Sequence, residues 1–125
     1  MERIKPPAVR FVDGVFVIEP GDDYSHLHKN VLEHLTLLPL LAESIQPPLL
    51  VLDMKPVQFI GSAAIGELVL VSRRLKSRHG AFALASANRF CQTTLGLASL
   101  ESMLPNFEST EAAIRHLTSM AVPTT

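Results

Sequence analysis

Ser62 is the side chain whose position in the sequence is best suited to chemistry. It follows an apolar run, Leu49–Leu52, and a loop from Lys55 to Gly61, and it precedes a segment with helical periodicity. A serine between a buried strand and a helix presents its hydroxyl group at the start of that helix. The simplest interpretation is an N-cap, in which the hydroxyl oxygen accepts a hydrogen bond from a backbone N–H group. The pattern of residues alone favours this structural role.

Regulated phosphorylation is the functional alternative for Ser62. A phosphate adds about −1.5 to −2 charges next to free amide donors and the positive end of the helix dipole, so the helix should tolerate it. A docked partner should not, because a buried contact cannot easily absorb a strongly solvated charge. Phosphorylation is therefore expected to change the surface and to leave the fold intact.

A stripe of mostly small residues continues from Ser62 along the predicted helix. Helical spacing separates this stripe from an inward-facing row. The stripe consists of Ala63, Gly66, Leu70 and Arg73. The inward row consists of Ile65, Leu68, Ser72, Leu75 and His79. Gly66 costs about 1 kcal/mol of helix propensity relative to Ala, which indicates close approach of either a partner or another element of the chain.

Enzymatic and metal chemistry have weaker support in the sequence. Gly61-Ser62-Ala63-Ala64 lacks the second glycine of the G-x-S-x-G turn of many hydrolases, and no ordered series of an acid and a base follows. His26 and His28 would lie on different faces of a helix, which is poor spacing for a shared metal ion. We expect no enzyme activity, no cofactor and no metal, and we expect Cys91 to be a small core residue.

Apolar periodicity predicts the first half of the fold. Asp13-Gly14 lies between two β-rich runs from Val9 to Ile18, which predicts a β-hairpin. A helix should follow, with its apolar positions at Leu27, Val31, Leu35 and Leu38. Pro39 should end or kink that helix. The continuous apolar run Leu49–Leu52 is typical of a central strand covered on both faces.

The second half alternates helices and strands. Ser62 to His79 should form a helix that stops at Gly80, and Ala81–Ala85 a buried strand. Asn88 should cap a helix that turns Cys91, Leu95 and Ala98 inward. Phe107 marks a short strand, and Ser109 should cap a last helix with Ala113, Ile114 and Leu117 facing inward. This order predicts an α/β fold with a mixed β-sheet, an N-terminal hairpin and about four α-helices.

Length and composition limit the classes of protein. A chain of 125 residues with 47% hydrophobic and 18% charged residues predicts one domain, 1–125, with frayed ends at 1–7 and 121–125. The formal charge of −1 argues against broad capture of nucleic acid or of an anionic membrane. One cysteine, no apolar run of about 20 residues and no apolar leader predict a cytoplasmic protein without nucleic-acid or membrane partners.

Two stretches of the sequence resemble the STAS domain family, and within it the bacterial anti-sigma factor antagonists. The first runs from Leu49-Leu-Val-Leu-Asp53 to Phe59-Ile-Gly-Ser-Ala-Ala-Ile-Gly66. It is similar to the family's apolar strand, Asp, short loop and Phe-[apolar]-Asp-Ser-Ser-Gly-[apolar]-Gly motif. The second runs from Asn88 to Ile114 and is similar to the family's closing helix, short strand and final helix. With the hairpin, the resemblance covers nearly the whole chain.

The resemblance implies partner switching in transcription regulation. The unphosphorylated antagonist of this family binds an anti-sigma factor that is also a serine kinase of the histidine-kinase-like ATPase type. Binding frees the sigma factor, phosphorylation of the antagonist's serine disables it, and a serine phosphatase restores it. Carried over to this sequence, the phosphoacceptor is Ser62. The expected partner-binding residues are Phe59, Gly61, Ser62, Ala63, Gly66, Leu70 and Arg73.

The sequence departs from the family motif beside the serine. Gly61 stands where the family usually has Asp, Ala63 where Ser or Thr is common, and Ala64 where Gly is common. Loss of the acidic group removes a charge that could orient the hydroxyl or help to recruit the kinase. The alternative is therefore a ligand- or nucleotide-binding STAS module of a transport or sensory complex.

Overall fold

A computed structural model of the chain describes residues 7–21, 26–27 and 37–120. The strands are β1 (Ala8–Val12), β2 (Val15–Glu19), β3 (His26–Leu27), β4 (Leu49–Asp53), β5 (Phe59–Ile60), β6 (Ala81–Ala85) and β7 (Asn106–Phe107). The helices are α1 (Leu37–Ser44), α2 (Ser62–Ser77), α3 (Arg89–Leu97) and α4 (Thr110–Met120). The sequence-based expectations for His28, Val31, Leu35 and the chain ends, 1–6 and 121–125, lie outside the described residues.

A five-stranded mixed sheet organises the molecule, in the order β1-β2-β4-β6-β7. β1 and β2 are antiparallel, and every other pair in this sheet is parallel. β3 and β5 form a separate parallel pair, with His26 opposite Phe59 and Leu27 opposite Ile60. The predicted α/β fold, with its mixed sheet, N-terminal hairpin and four helices, is confirmed for the described part of the chain.

The hairpin and the central strand form for the reasons that the sequence indicates. Asp13 and Gly14 both have positive φ angles, 51° and 83°, as in the tight turn whose twist matches that of the flanking strands. β4 is the middle strand, and its first four residues are buried. Both faces of the sheet are therefore covered.

The two faces of the sheet carry two hydrophobic clusters. Ile18, Leu50 and Leu84 lie in the cluster with α1, α2 and α3, whereas Val17, Val51 and Ala83 lie in the cluster with α4. The inward residues predicted for α4, Ala113, Ile114 and Leu117, are all buried. Ser109 caps α4, because its hydroxyl oxygen accepts a hydrogen bond from the Ala112 N–H group at 3.1 Å.

The structure differs from the prediction for the first helix at Leu27 and in the position of the helix end. Leu27 lies in β3 instead of a helix, because its backbone pairs with β5. Of the two effects predicted for Pro39, an end of the helix is not observed, because α1 continues through Pro39 to Ser44. The residues 28–36 of the predicted helix lie outside the described ranges.

The prediction for α2 is right for its start at Ser62 and for the middle of its inward row, and wrong for the two residues at the ends of that row. Leu68, Ser72 and Leu75 are buried as expected, but the row also includes Ala64 and Val71, and Ile65 is only half-buried. His79 is exposed beyond the end of α2. It has a φ of 62° and donates its N–H to the Lys76 carbonyl oxygen at 3.0 Å, so His79 is the residue that turns the chain out of the helix.

Gly80 is required by a close approach of two backbone segments. A Cβ atom at this position would collide with the carbonyl oxygen of Pro48, and the Gly80 N–H group donates to the Leu75 carbonyl oxygen at 2.7 Å. The helix stop predicted at Gly80 is therefore a packing requirement as well. The inward placement predicted for Ala98 is wrong, because Ala98 follows the end of α3 and is exposed.

Candidate functional site

Ser62 is the first residue of α2, and its side chain is exposed. The N-cap is Gly61, with φ −94° and ψ 167°, and it makes no side-chain capping hydrogen bond. The N-cap interpretation of Ser62 is therefore wrong. The reason is that β5 ends at Ile60, so the chain changes from strand to helix at the single residue Gly61, whose carbonyl oxygen accepts from the Ile65 N–H group at 3.0 Å.

The loop that presents Ser62 is anchored to the sheet. The Met54 N–H group donates to the Ala85 carbonyl oxygen at 2.7 Å, and the Val57 N–H group donates to the Met54 carbonyl oxygen at 2.9 Å. The side chains of Met54, Val57 and Ile60 are buried in the core. The position of Ser62 at the carboxyl-terminal edge of the sheet is therefore fixed by the core beneath it.

The N-terminus of α3 is attached to the same loop by Asn88. The Asn88 Oδ1 atom accepts a hydrogen bond from the Cys91 N–H group at 2.8 Å, which confirms the predicted cap. Its Nδ2 atom donates to the carbonyl oxygens of Gln58 at 3.1 Å and Val57 at 3.4 Å. One side chain therefore couples the start of α3 to the segment that leads into Ser62.

An aromatic pair lies beside this connection. The rings of Phe59 and Phe90 are stacked with their centroids 5.5 Å apart and their planes 26° apart. Phe59 is 38% exposed and Phe90 51% exposed. The loop before Ser62 and the first turn of α3 therefore present apolar surface to solvent together.

The structure brings the predicted partner-binding residues together on one side of α2. Ser62, Ala63, Gly66 and Arg73 are exposed, whereas Gly61 and Leu70 are half-buried. A Cβ atom added at Gly66 would meet nothing within 4 Å. No contact within the described chain therefore requires a glycine at position 66, in spite of its cost in helix propensity. The face of α2 around Gly66 is open.

The helix dipole favours negative charge at this end of α2. The first turn of α2 contains no acidic residue, and its last turn contains Arg74 and Lys76. The amide groups of the first turn point toward the Ser62 end, where they stabilise an anion. A phosphate on Ser62 is compatible with the helix for this reason.

A family model and several solved structures match this chain. The family model of the STAS domain matches residues 7–113. The chain belongs to the STAS domain family. Its structure is similar to that of an anti-sigma-factor antagonist STAS domain protein from Planctomyces limnophilus, with a TM-score of 0.80 and 23% identity over 94% of this chain and 99% of the other. An anti-sigma factor antagonist from Mycobacterium paratuberculosis gives a TM-score of 0.77 and 20% identity over 90% of this chain and 92% of the other.

At these sequence identities, the likeness to the solved structures shows the fold of the STAS domain alone. A search of curated proteins found no match.

Two features of this STAS domain could not be predicted from the sequence. The stacking of Phe90 on Phe59 and the bonds from Asn88 to the loop connect residues about 30 positions apart in the chain. Local periodicity does not report such contacts. The one available hint for Phe90 was a phenylalanine in the first turn of a predicted helix, two residues after its cap and outside the predicted inward row.

The remaining reactive groups lie elsewhere in the STAS domain. Cys91 is fully buried, as predicted for a core residue, and burial raises the pKa of its thiol. His116 packs against Phe107, with ring centroids 4.7 Å apart. Among the described residues, no group of three or more His, Cys, Asp or Glu side chains could hold a metal ion. No helix in the described ranges is long and apolar enough to span a bilayer.

Proposed function

We propose that this STAS domain is a non-enzymatic, protein-binding regulator, an anti-sigma factor antagonist controlled by phosphorylation of Ser62. Its partner is an anti-sigma factor that is also a serine kinase of the histidine-kinase-like ATPase type, and a serine phosphatase reverses the modification in the cytoplasm. The observation that carries the proposal is the exposed hydroxyl of Ser62 at a helix N-terminus that the core holds in place.

The docking surface in this proposal surrounds the phosphoacceptor. It consists of Phe59, Gly61, Ser62, Ala63, Gly66, Leu70 and Arg73. Small side chains at Ala63 and Gly66 allow the backbone of a partner to approach α2 closely. Phe59 adds apolar area whose burial by a partner would be favourable.

Phosphorylation would act on this surface without unfolding the domain. The phosphate meets free amide groups and the positive end of the α2 dipole, so the cost to the isolated domain is small. In the complex, the same charge would have to lose water against apolar and small side chains. The affinity for the partner therefore falls while the fold persists.

The direct test is phosphate transfer. The protein is incubated with the cognate kinase and ATP, and the phosphorylated residue is located by mass spectrometry. The expected result is one phosphate on Ser62 and none on the Ser62→Ala variant. Absence of phosphate from Ser62 would reject the switch.

A binding experiment tests the surface separately. We expect Ser62→Asp to weaken binding of the unphosphorylated antagonist to its anti-sigma factor at least tenfold by calorimetry, with a native circular dichroism spectrum. Ser99→Asp is the matched control, because Ser99 is exposed beyond α3 and its φ of 57° suits Asp. Unchanged affinity of Ser62→Asp would show that the surface is wrong. Ester turnover abolished by Ser62→Ala would replace the proposal with a hydrolase.

A further inference from the structure

The outer edge of β6 is paired over only part of its length. The N–H groups of Leu84 and Ser86 donate to the carbonyl oxygens of Pro105 and Phe107, each at 2.8 Å. The backbone groups of Ala81 and Ala85 point to the opposite side of β6, where β4 lies. The Ala81 N–H group donates to the Pro48 carbonyl oxygen, and the Ala85 carbonyl oxygen accepts from the Met54 N–H group. Backbone groups alternate in direction along a strand, so the N–H and C=O groups of Phe82 point toward the β7 side.

β7 does not reach Phe82. Its register places Asn106 opposite Leu84 and Phe107 opposite Ala85, and it has no residue opposite Phe82. If this register continued, the backbone N–H group of residue 105 would donate to the Phe82 carbonyl oxygen. Residue 105 is a proline, which has no N–H group. Within residues 7–21, 26–27 and 37–120, no backbone group pairs with the N–H or the C=O of Phe82.

A cavity of about 290 Å³ lies against this unpaired edge. It is enclosed by Gly80, Ala81 and Phe82 of the sheet edge, by the end of α2, by the segment before β7 and by α4. The volume is close to the lower end of the range of small-ligand pockets, about 300–1,000 Å³. The cavity therefore has room for a short length of extended chain beside Phe82.

The walls of the cavity are fixed, and its mouth carries charges of both signs. The Ser72 hydroxyl donates to the Met103 carbonyl oxygen at 2.8 Å, which holds the segment before β7 against α2. Lys76 and Glu101 line the cavity and are exposed, and neither takes part in an ion pair of the described residues. Glu101 would repel a simple anion and Lys76 would repel a simple cation. A peptide can instead place a positive group beside Glu101 and a negative group beside Lys76.

We infer that the edge of β6 at Phe82 is a peptide-binding site. An extended segment of a partner protein adds a short strand beside β6, with one backbone N–H donating to the Phe82 C=O and one backbone C=O accepting from the Phe82 N–H. At 1.5 Å of rise per residue, Lys76 lies about 20 Å along α2 from Ser62. The cavity is therefore remote from the proposed phosphoacceptor, although Arg73 of the docking surface lies within one helical turn of Lys76. The inference rests on the backbone of Phe82 and does not require the proposed function.

The test uses peptides selected on the protein itself. A random library of 12-residue peptides displayed on phage is selected against the whole chain, and the recovered peptides are synthesised. Binding is then measured to wild type, to Ser102→Trp and to Ser44→Trp. Ser102 is an exposed residue of the cavity wall, so Trp there fills the site, whereas Ser44 is an exposed residue at the end of α1 and serves as the matched control.

Amide hydrogen exchange gives the second readout. In the free protein, the N–H of Phe82 should exchange much faster than that of Leu84, which is bonded to Pro105. We expect selected peptides to slow exchange at Phe82 at least tenfold and to lose at least tenfold in affinity to Ser102→Trp, with no loss to Ser44→Trp.

Three results would overturn the inference. One is a selection that recovers no binding peptide, and another is a set of peptides that bind Ser102→Trp as tightly as wild type or leave exchange at Phe82 unchanged. The third is a solution mass of two chains that falls to one in Ser102→Trp, which would assign this edge to a second copy of the protein instead.

Discussion

Asn88 performs two tasks with one amide group, and substitution can remove both tasks together or the donation to the loop alone. Its Oδ1 atom caps α3, and its Nδ2 atom bonds to the loop before Ser62. We expect Asn88→Ala to lower the free energy of unfolding by about 1–2 kcal/mol, since the cap alone contributes about 1 kcal/mol. Urea denaturation followed by circular dichroism measures this loss.

The matched control is Asn88→Asp. The carboxylate still accepts from the Cys91 N–H group and suits the positive end of the α3 dipole, but it cannot donate to Gln58. We expect Asp to retain the capping part of the stability and to loosen the loop, which faster amide exchange at Phe59 and Ile60 would report. Equal stability of Asn88→Ala and wild type would show that neither bond contributes.

At the scale of a single element, α2 and its exit contain two glycines with opposite requirements. A methyl group at Gly66 meets open space, so Gly66→Ala should raise the free energy of unfolding by about 0.5–1 kcal/mol through helix propensity alone. If a partner approaches α2 closely at Gly66, the same variant should bind the anti-sigma factor of the proposed function more weakly. Thermal unfolding and calorimetry measure the two effects, and a more stable variant with unchanged affinity would remove Gly66 from the docking surface.

Gly80→Ala should act in the opposite direction. Its methyl group would collide with the Pro48 carbonyl oxygen, which belongs to the backbone and cannot rotate away. Overpacking of this kind costs about 1–3 kcal/mol, and the tight contact favours the upper part of that range. Comparison of the two alanine variants by urea denaturation checks the difference in sign. A Gly80→Ala variant as stable as wild type would mean that the α2–β6 connection differs from the structure described above.

Local pattern predicted those elements whose formation depends on local chemistry. The Asp13-Gly14 turn, the buried run of β4 and the Asn88 cap all follow from short-range preferences. The errors arise where distant pairing overrides those preferences. Leu27 has helical spacing but pairs with β5, and Ser62 resembles a cap but follows Gly61 directly after β5.

The same distinction applies to the candidate site. The strand, loop and helix pattern singled out Ser62 at the start of α2, and helical spacing separated the stripe through Gly66 from the inward row. Sequence left open whether another element covers that stripe, and the structure shows that the face around Gly66 is open. The contribution of Phe90 and the second role of Asn88 could not be predicted, because they depend on how α3 packs against a loop about 30 residues earlier.

For the whole molecule, the sheet separates two hydrophobic clusters that share the same strands. Leu50 lies in the cluster with α1, α2 and α3, and Leu117 lies in the cluster with α4. Both side chains are almost completely buried. β4 contributes alternate residues to the two faces, so loss of packing on either face weakens the strand that the other face requires.

We therefore expect the two layers to unfold as one cooperative unit. Leu50→Ala and Leu117→Ala should each lower the free energy of unfolding by about 2–5 kcal/mol, the range for buried leucines, with a denaturant slope close to that of wild type. Circular dichroism and site-resolved hydrogen exchange should report the same midpoint in each variant. If Leu117→Ala released α4 while amides in α2 kept their wild-type protection, the layers would be independent, and a partner bound at Ser62 would not sense changes on the α4 face.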